Sequence, residues 1–411
     1  MDCVHTNDLC LTCRCAAAVV FAQDGSVSAY DVEAAAASEL AAASGGDECG
    51  SAARAPLFVE RSAHRAAVRG AAWYAADSGL FATGCAGGDV AVWDARAAQV
   101  VSRLAFGAAV HCVAMPERAA RHALVAVANG GGGGGGGGGL RLADLATGAF
   151  AQALPGHSGA VRCAAWLPRC EWHLASGGAD GGVRLWDVRR PGALALLDMH
   201  NDAAAALDGG MGAVGGVAAT GAAQAWRASG GASAPPRPQL ARAHARAVTA
   251  MAASADGMWL LTAGADARMR LWDLWTGRHT HVHYEGAEHE SQSCAAVALS
   301  TDGTVAYGCG RGSIKCWGVH AGGEPRARLC AHLSGARALA AHPHTPALYS
   351  GGGDGEVATW EPGTLGVDGY GPDDDGDEEQ EDKGEDGDDG TWGFRARVGD
   401  QWSDEEELYE V

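Results

Sequence analysis

Four stretches of the chain repeat one pattern, and that recurrence limits the fold more than any other feature. They read LFATGCAGGDVAVWDAR around Trp93, HLASGGADGGVRLWDVR around Trp186, LLTAGADARMRLWDLW around Trp272 and ALYSGGGDGEVATWEP around Trp360. Each holds an apolar strand, a Gly-rich turn and an alternating strand that ends on Trp. Three of them share an Asp six residues before the Trp (Asp180, Asp266, Asp354) and a Ser or Thr four residues earlier still (Ser176, Thr262, Ser350). Upstream of each sits a His: His157, His244 and His332.

These residue types can close on one another. A buried Asp can accept from the imidazole, the imidazole can bond the hydroxyl, and the hydroxyl can reach the indole N–H. Each group would be costly to bury alone, so the set persists only if complete. Three copies at matched spacing predict the blades of a WD-type β-propeller. A Ser/His/Asp trio also suggests a hydrolase, but recurrence in several blades is wrong for a unique active site and right for a structural latch. The expectation is a non-enzymatic chain with no cofactor.

Weaker copies fill the gaps. Tyr30 ends DGSVSAYDV, where Asp24 keeps its place, and Ala143 replaces Trp in LRLADLATG. Trp317 ends SIKCW, with Arg311 where Asp would stand. The copy around Trp93 has His64 and Thr83 but Gly87 at the Asp position. The strand ends Tyr30, Trp93, Ala143, Trp186, Trp272, Trp317 and Trp360 therefore predict an all-β, seven-bladed propeller over residues 7–364. Only two strands fit before Tyr30, about Asn7–Cys13 and Ala16–Phe21, so blade 1 is expected to be truncated. No N-terminal strand is then left to complete the last blade. Disordered inserts are expected at about 33–55, 130–139 and 202–240, and an acidic disordered tail over 365–411. The ten glycines Gly130–Gly139 lead into a strand, not a helix N-terminus, so they read as a hairpin tip and not as a phosphate cradle.

Charge and cysteine exclude several classes. Residues 371–411 hold 18 Asp/Glu against 3 Lys/Arg, and the remaining 370 residues are nearly balanced at a net of −5. The acidity belongs to the tail, and no basic cluster for gripping a phosphate backbone is expected. No apolar run approaches the roughly 20 residues that cross a bilayer. The start, MDCVHTNDLC, has no basic cluster of a secretory signal. Thirteen scattered Cys fit reduced thiols of an intracellular protein. Cys3, His5, Cys10, Cys13 and Cys15 have zinc-like spacing. However, Cys10 and Cys13 fall inside the first expected strand and no second CxxC follows, so no metal is expected. In the ending DQWSDEEELYEV, Trp402 among acids reads as a solubilising tail or as a short docking motif, and Ser403 as an acid-directed phosphosite.

Several local runs carry a resemblance more specific than the repeat. They are WYAADSGLFATG (Trp73–Gly84), LASGGADGGVRLWDVRRPG (Leu174–Gly192), LDMHN (Leu197–Asn201), LLTAGADARMRLWD (Leu260–Asp273), ALYSGGGDGEVATWEP (Ala347–Pro362) and DQWSDEEE near the C-terminus. In these the chain resembles the Cockayne syndrome group A family of WD-repeat proteins. The resemblance implies a nuclear substrate receptor of a cullin-4 RING ubiquitin ligase, attached through the DNA damage-binding protein 1 adaptor. It implies work in transcription-coupled nucleotide excision repair, with the Cockayne syndrome group B ATPase and the stalled RNA polymerase II complex as partners. Such receptors present a Trp-Asp-x-Arg motif, found here as Trp186-Asp187-Val188-Arg189, followed by Arg190, and as Trp93-Asp94-Ala95-Arg96. The family also uses an N-terminal helix-loop-helix, for which the residues before blade 1 leave no room. The competing expectation is a general WD scaffold in chromatin or RNA processing without ligase attachment.

Overall fold

In the computed structural model the described residues are 6–11, 17–22, 24–31, 57–74, 79–117, 119, 121–131, 139–201, 242–287, 296–309, 313–330, 332–333, 335–342, 345–353, 357–363 and 393–399. Their regular structure is all β, with no helix among them. Twenty-eight strands form seven four-stranded antiparallel sheets. Blade 1 is β1 (Thr6–Leu11), β2 (Ala17–Ala22), β3 (Val27–Asp31) and β4 (Phe58–Glu60), and blade 2 is β5 (Val68–Trp73), β6 (Leu80–Cys85), β7 (Asp89–Asp94) and β8 (Gln99–Ala105). Blade 3 is β9 (Val110–Ala114), β10 (Leu124–Asn129), β11 (Gly139–Asp144) and β12 (Ala149–Ala153). Blade 4 is β13 (Val161–Trp166), β14 (His173–Gly178), β15 (Val183–Asp187) and β16 (Ala193–Leu197). Blade 5 is β17 (Val248–Ala253), β18 (Trp259–Gly264), β19 (Arg268–Asp273) and β20 (Arg278–His279). Blade 6 is β21 (Val297–Leu299), β22 (Val305–Cys309), β23 (Ile314–Gly318) and β24 (Ala327–Leu329). Blade 7 is β25 (Ala336–Ala341), β26 (Leu348–Gly352), β27 (Val357–Gly363) and β28 (Gly393–Gly399).

The first strand of each blade lies innermost, and each touches the first strand of the next around the ring, with β25 against β1 closing it. The core is a series of layers between blades, because each sheet must bury both faces. Ala128 and Leu142 of blade 3 pack with Val161, Leu174 and Trp186 of blade 4. Leu185 and Leu197 of blade 4 pack with Val248, Leu260 and Trp272 of blade 5. Each strand-end Trp thus seals its blade against the preceding one. Burying such an indole is worth about 4–6 kcal/mol at about 25 cal/mol per Å².

Two glycines in GGADGG have separate reasons. A Cβ on Gly177 would lie 2.6 Å from Val248 Cγ1 of the next blade, so only Gly admits that approach. Gly181 turns at φ +75° between β14 and β15, and its carbonyl accepts from the backbone N–H of Ala243 and of His244. That contact places the turn between second and third strands on the same face as the loop entering the next blade. The turn between third and fourth strands falls on the opposite face.

Two expectations about the ends are corrected. Blade 1 is not truncated: its fourth strand arrives after the insert, where Val27 pairs with Glu60 and Ala29 with Phe58. Its first two strands are Thr6–Leu11 and Ala17–Ala22, slightly offset from the expected spans. The region 365–411 is not wholly a tail either. Residues 393–399 form β28 and supply the outermost strand of blade 7, paired from Val357↔Gly399 to Gly363↔Gly393. The sequence GFRARVG alternates apolar and basic residues, a period-2 strand pattern placed beyond the acidic run. Residues 33–55, 132–138, 202–240, 364–392 and 400–411 lie outside the described residues, as do Cys3, His5, Cys13 and Cys15.

Candidate functional site

The third strand of blade 4 carries two sites, one at each end. At the end facing the β14–β15 turn, the indole N–H of Trp186 donates to Ser176 Oγ (2.8 Å). The Ser176 hydroxyl then donates to His157 Nε2 (2.8 Å), and His157 Nδ1–H donates to Asp180 (3.0 Å). Asp180 also accepts from the backbone N–H of Ser158 and of Gly182, and from Arg184 Nη1 at 3.1 Å. Burial opposes its charge, but these bonds, with His157 foremost, hold its carboxyl well below the usual carboxylate range.

Blade 5 repeats the arrangement. Trp272 donates to Thr262 (2.9 Å), Thr262 pairs with His244 Nε2 (2.8 Å), and His244 Nδ1 with Asp266 (2.9 Å). Arg270 Nη1 completes it at 2.9 Å from Asp266. Burial keeps His244 below its ordinary range despite that carboxylate. In blade 7, His332 meets Ser350 (2.7 Å) and Trp360 donates to Ser350 (2.8 Å), while Asp354 lies outside the described residues. The two arginines were missed at the level of sequence. The available signal was their place two residues before the Trp and four after the Asp, in RLW of both blades.

Recurrence of this set in separate blades makes it architecture. Each hydroxyl is clamped between an indole and an imidazole at the bottom of a sheet: Ser176, Thr262 and Ser350 have no exposure. No substrate carbonyl can approach them.

At the other end of the third strand, Asp caps the turn to the fourth. Asp94 accepts from Arg96 N (2.9 Å), Asp144 from Ala146 N (3.0 Å), Asp187 from Arg189 N (3.0 Å) and Asp273 from Trp275 N (2.8 Å). This is the Asx-turn bond, and it explains why Asp follows the strand-end residue in these four blades. Blade 4 adds more. Arg189 Nε and Nη2 grip both oxygens of Asp187 at 2.9 and 2.8 Å, and Arg190 Nε stands 3.7 Å from Oδ2. The guanidinium of Arg189 lies over the Trp172 ring, 5.6 Å from its centroid. Burial opposes the Asp187 charge, yet the Arg189 bonds keep its carboxyl below the ordinary range. Asp187 is 4% exposed, whereas the side chains of Arg189 and Arg190 are 53% and 48% exposed. The inner edge of the Arg189 fork is filled by Asp187, so it is not a free bidentate clamp. What the turn offers outward is two cations held on a rigid base. In blade 2, Arg96 is exposed, and its Asp94 serves only the turn.

The seven-sheet ring, the repeated latches and the Asp-capped turns define an all-β WD40 propeller. The WD domain, G-beta repeat family matches residues 148–187 and 238–273, which hold the fourth strand of blade 3, blade 4 up to its third strand, and blade 5 through its Trp-Asp. Across most of its length the chain is similar to the WD repeat-containing protein ATCSA-1 of Arabidopsis thaliana, with 29% identity over 382 residues, 83% of this chain and 82% of that protein. Shorter matches are 33% to the ribosome biogenesis protein WDR12 homolog of Chlamydomonas reinhardtii, covering 35% of this chain and 31% of that one, and 38% to THO complex subunit 6 of Homo sapiens, covering 15% and 18%.

Proposed function

We propose that this WD40 protein is the substrate-recognition subunit of a cullin-4 RING ubiquitin ligase acting in transcription-coupled nucleotide excision repair in the nucleus. It would be a scaffold that brings substrate and ligase together and performs no chemistry itself. The similarity to ATCSA-1 carries this reading, because it extends over 83% of the chain and is not confined to one repeat. The blade-4 turn supplies the attachment point for the DNA damage-binding protein 1 adaptor through Arg189 and Arg190, with Arg96 on the Asp94-capped turn of blade 2 as a secondary contact; Trp186 and Trp93, 0% and 1% exposed, support these turns from within and cannot touch a partner. Asp187 holds Arg189 against Trp172, so little side-chain entropy remains to be lost when a partner docks. The latch face lies opposite the adaptor contact and is the side assigned to the Cockayne syndrome group B ATPase and the stalled polymerase complex.

A second reading, a WD scaffold in RNA processing or chromatin, is favoured by the local matches to the WDR12 homolog and THO complex subunit 6. One pull-down with purified adaptor separates the two. The native chain should bind, and Arg189→Glu should lose at least about tenfold in affinity, since it places a like charge beside Asp187 and removes the exposed cation. No binding by the native chain, or equal binding by both, would overturn the ligase reading and leave the scaffold.

A further inference from the structure

The innermost strands share an irregularity that gathers positive charge at one mouth of the ring. Strand pairing jumps from Val68 to Gly70, from Val110 to Cys112, from Val161 to Cys163, from Val248 to Ala250 and from Ala336 to Ala338. The residues passed over are Arg69, His111, Arg162, Thr249 and Arg337. Each is the second residue of its blade's first strand, just inside the latch face, and a bulge re-aims the side chain it carries. Three of these five are arginine and one is histidine; blade 1 makes the same jump from Thr6 to Asp8, past Asn7, and none of the six is acidic.

The charges act on each other across blades. Burial first, then the guanidinium groups of Arg162 and Arg69, lower the pKa of His111, so both flank it from blades 4 and 2. Arg69 is exposed and Arg337 half-buried, and neither forms an ion pair among the described residues. The acids of the adjoining turns in blades 4 and 5 are occupied. Asp180 and Asp266 are held by their own His and Arg.

The register of blade 7 shows where the chain goes next. Ala338 pairs with Gly351, Gly351 with Val357, and Val357 with Gly399. Gly399 therefore ends β28 at the latch face, three strands out from the strand of Arg337. At about 4.8 Å per strand that is about 14 Å. Residues 400–411, DQWSDEEELYEV, carry six acids and no Lys or Arg. Twelve residues can span about 40 Å, enough to cross the mouth.

We propose that residues 400–411 dock in cis on the cationic mouth formed by Arg69, His111, Arg162 and Arg337. The chain then carries its own competitor for any acidic segment approaching the latch face. This does not rest on the ligase reading, whose adaptor contact lies on the opposite face.

The test uses a fluorescent peptide of residues 400–411 and two proteins, the full chain and a chain ending at Gly399. Anisotropy at low salt should show at least tenfold tighter peptide binding to the shortened chain, because its mouth is vacated, and the gain should fall steeply with salt. Arg69→Gln/Arg162→Gln/Arg337→Gln in the shortened chain should lose at least tenfold. Equal binding by full and shortened chains, or by parent and triple variant, would overturn the proposal. Should the triple variant fail to fold, a photo-crosslinking residue at position 402 of the full chain decides the matter. Attachment at the starts of β5, β9, β13 or β25 supports docking, and attachment elsewhere or none refutes it.

Discussion

Blade 2 and blade 5 begin the same relay, but only blade 5 finishes it. In blade 5 the indole, hydroxyl, imidazole and carboxylate follow one another, and Arg270 balances the carboxylate. In blade 2, Trp93 donates to Thr83 (2.8 Å) and Thr83 meets His64 Nε2 (2.7 Å), and there the chain stops. The Thr83 hydroxyl donates to Nε2, so the His64 proton sits on Nδ1. That buried N–H has no hydrogen-bond partner among the described residues. Gly87 stands where Asp266 would be, and Ala91 where Arg270 would be. The carboxylate and its arginine are absent together. That pairing is physically coherent, since either charge alone would be left half-buried without its counterpart. Burial, with Arg103 adding to it, accordingly drives the His64 pKa down to about 4. The latch is therefore two modules: a neutral relay that orients the indole, and a charged clasp that can be lost as a pair.

Breaking the clasp should have the largest effect. Asp266→Ala strands the Nδ1–H of His244 and the guanidinium of Arg270, and should cost about 3–5 kcal/mol, read as a drop in the urea midpoint. A loss under about 1 kcal/mol would mean that the indole and hydroxyl alone hold the blade.

The pH response comes next, and both blades share its sign: His64 in blade 2 and His244 and His279 in blade 5 are all held below the ordinary imidazole range, chiefly by burial. His64 is harder to protonate folded than unfolded, so the unfolded chain binds more protons as pH falls from about 6.5 to about 4. Stability is full above that window and declines through it, by up to about 3 kcal/mol from this group. The depressed Asp180 and Asp266 contribute stability that begins to fade only below about pH 4, their unfolded range. Urea midpoints at pH 7, 5.5 and 4.5 should fall in the native chain. A flat profile over that range would contradict the burial of an unpartnered His64.

The smallest expected change runs in the stabilising direction. A Cβ at Gly87 meets only ordinary contacts, 3.4 Å to Cys85 Sγ and 3.5 Å to Ala66 Cβ. Gly87→Asp should offer His64 its missing acceptor, gain about 1 kcal/mol and move the imidazole pKa upward from about 4, visible by NMR titration. An unchanged His64 titration would show that the carboxylate cannot reach without the arginine that blade 2 lacks.

These contrasts were half visible in the sequence. Fixed spacing from His to hydroxyl to Asp to Trp identified the relays of blades 4 and 5, and Gly87 announced the gap in blade 2. The arginines escaped because Arg184 and Arg270 sit on exposed-looking alternation, and their partners are set by a turn, not by a face. Strands β4 and β28 escaped for another reason. Each is separated from the strand it pairs with by a long insert, and loop length costs so little in closure entropy that no local signal marks the return. The Asp187–Arg189 turn was legible as a motif. Its sequence could not say that the guanidinium fork is already filled from within.

The route of the chain through blade 7 has a mechanical consequence. Strand β28 fills the outer edge of blade 7, while β1 lies innermost in blade 1, so the first and last described strands share no sheet. Six junctions of the ring are bridged by continuous backbone, and the seventh is a contact of β1 with β25 and β26. The protein resembles a split washer more than a clasped band, and a pulling force should open it first at that seam.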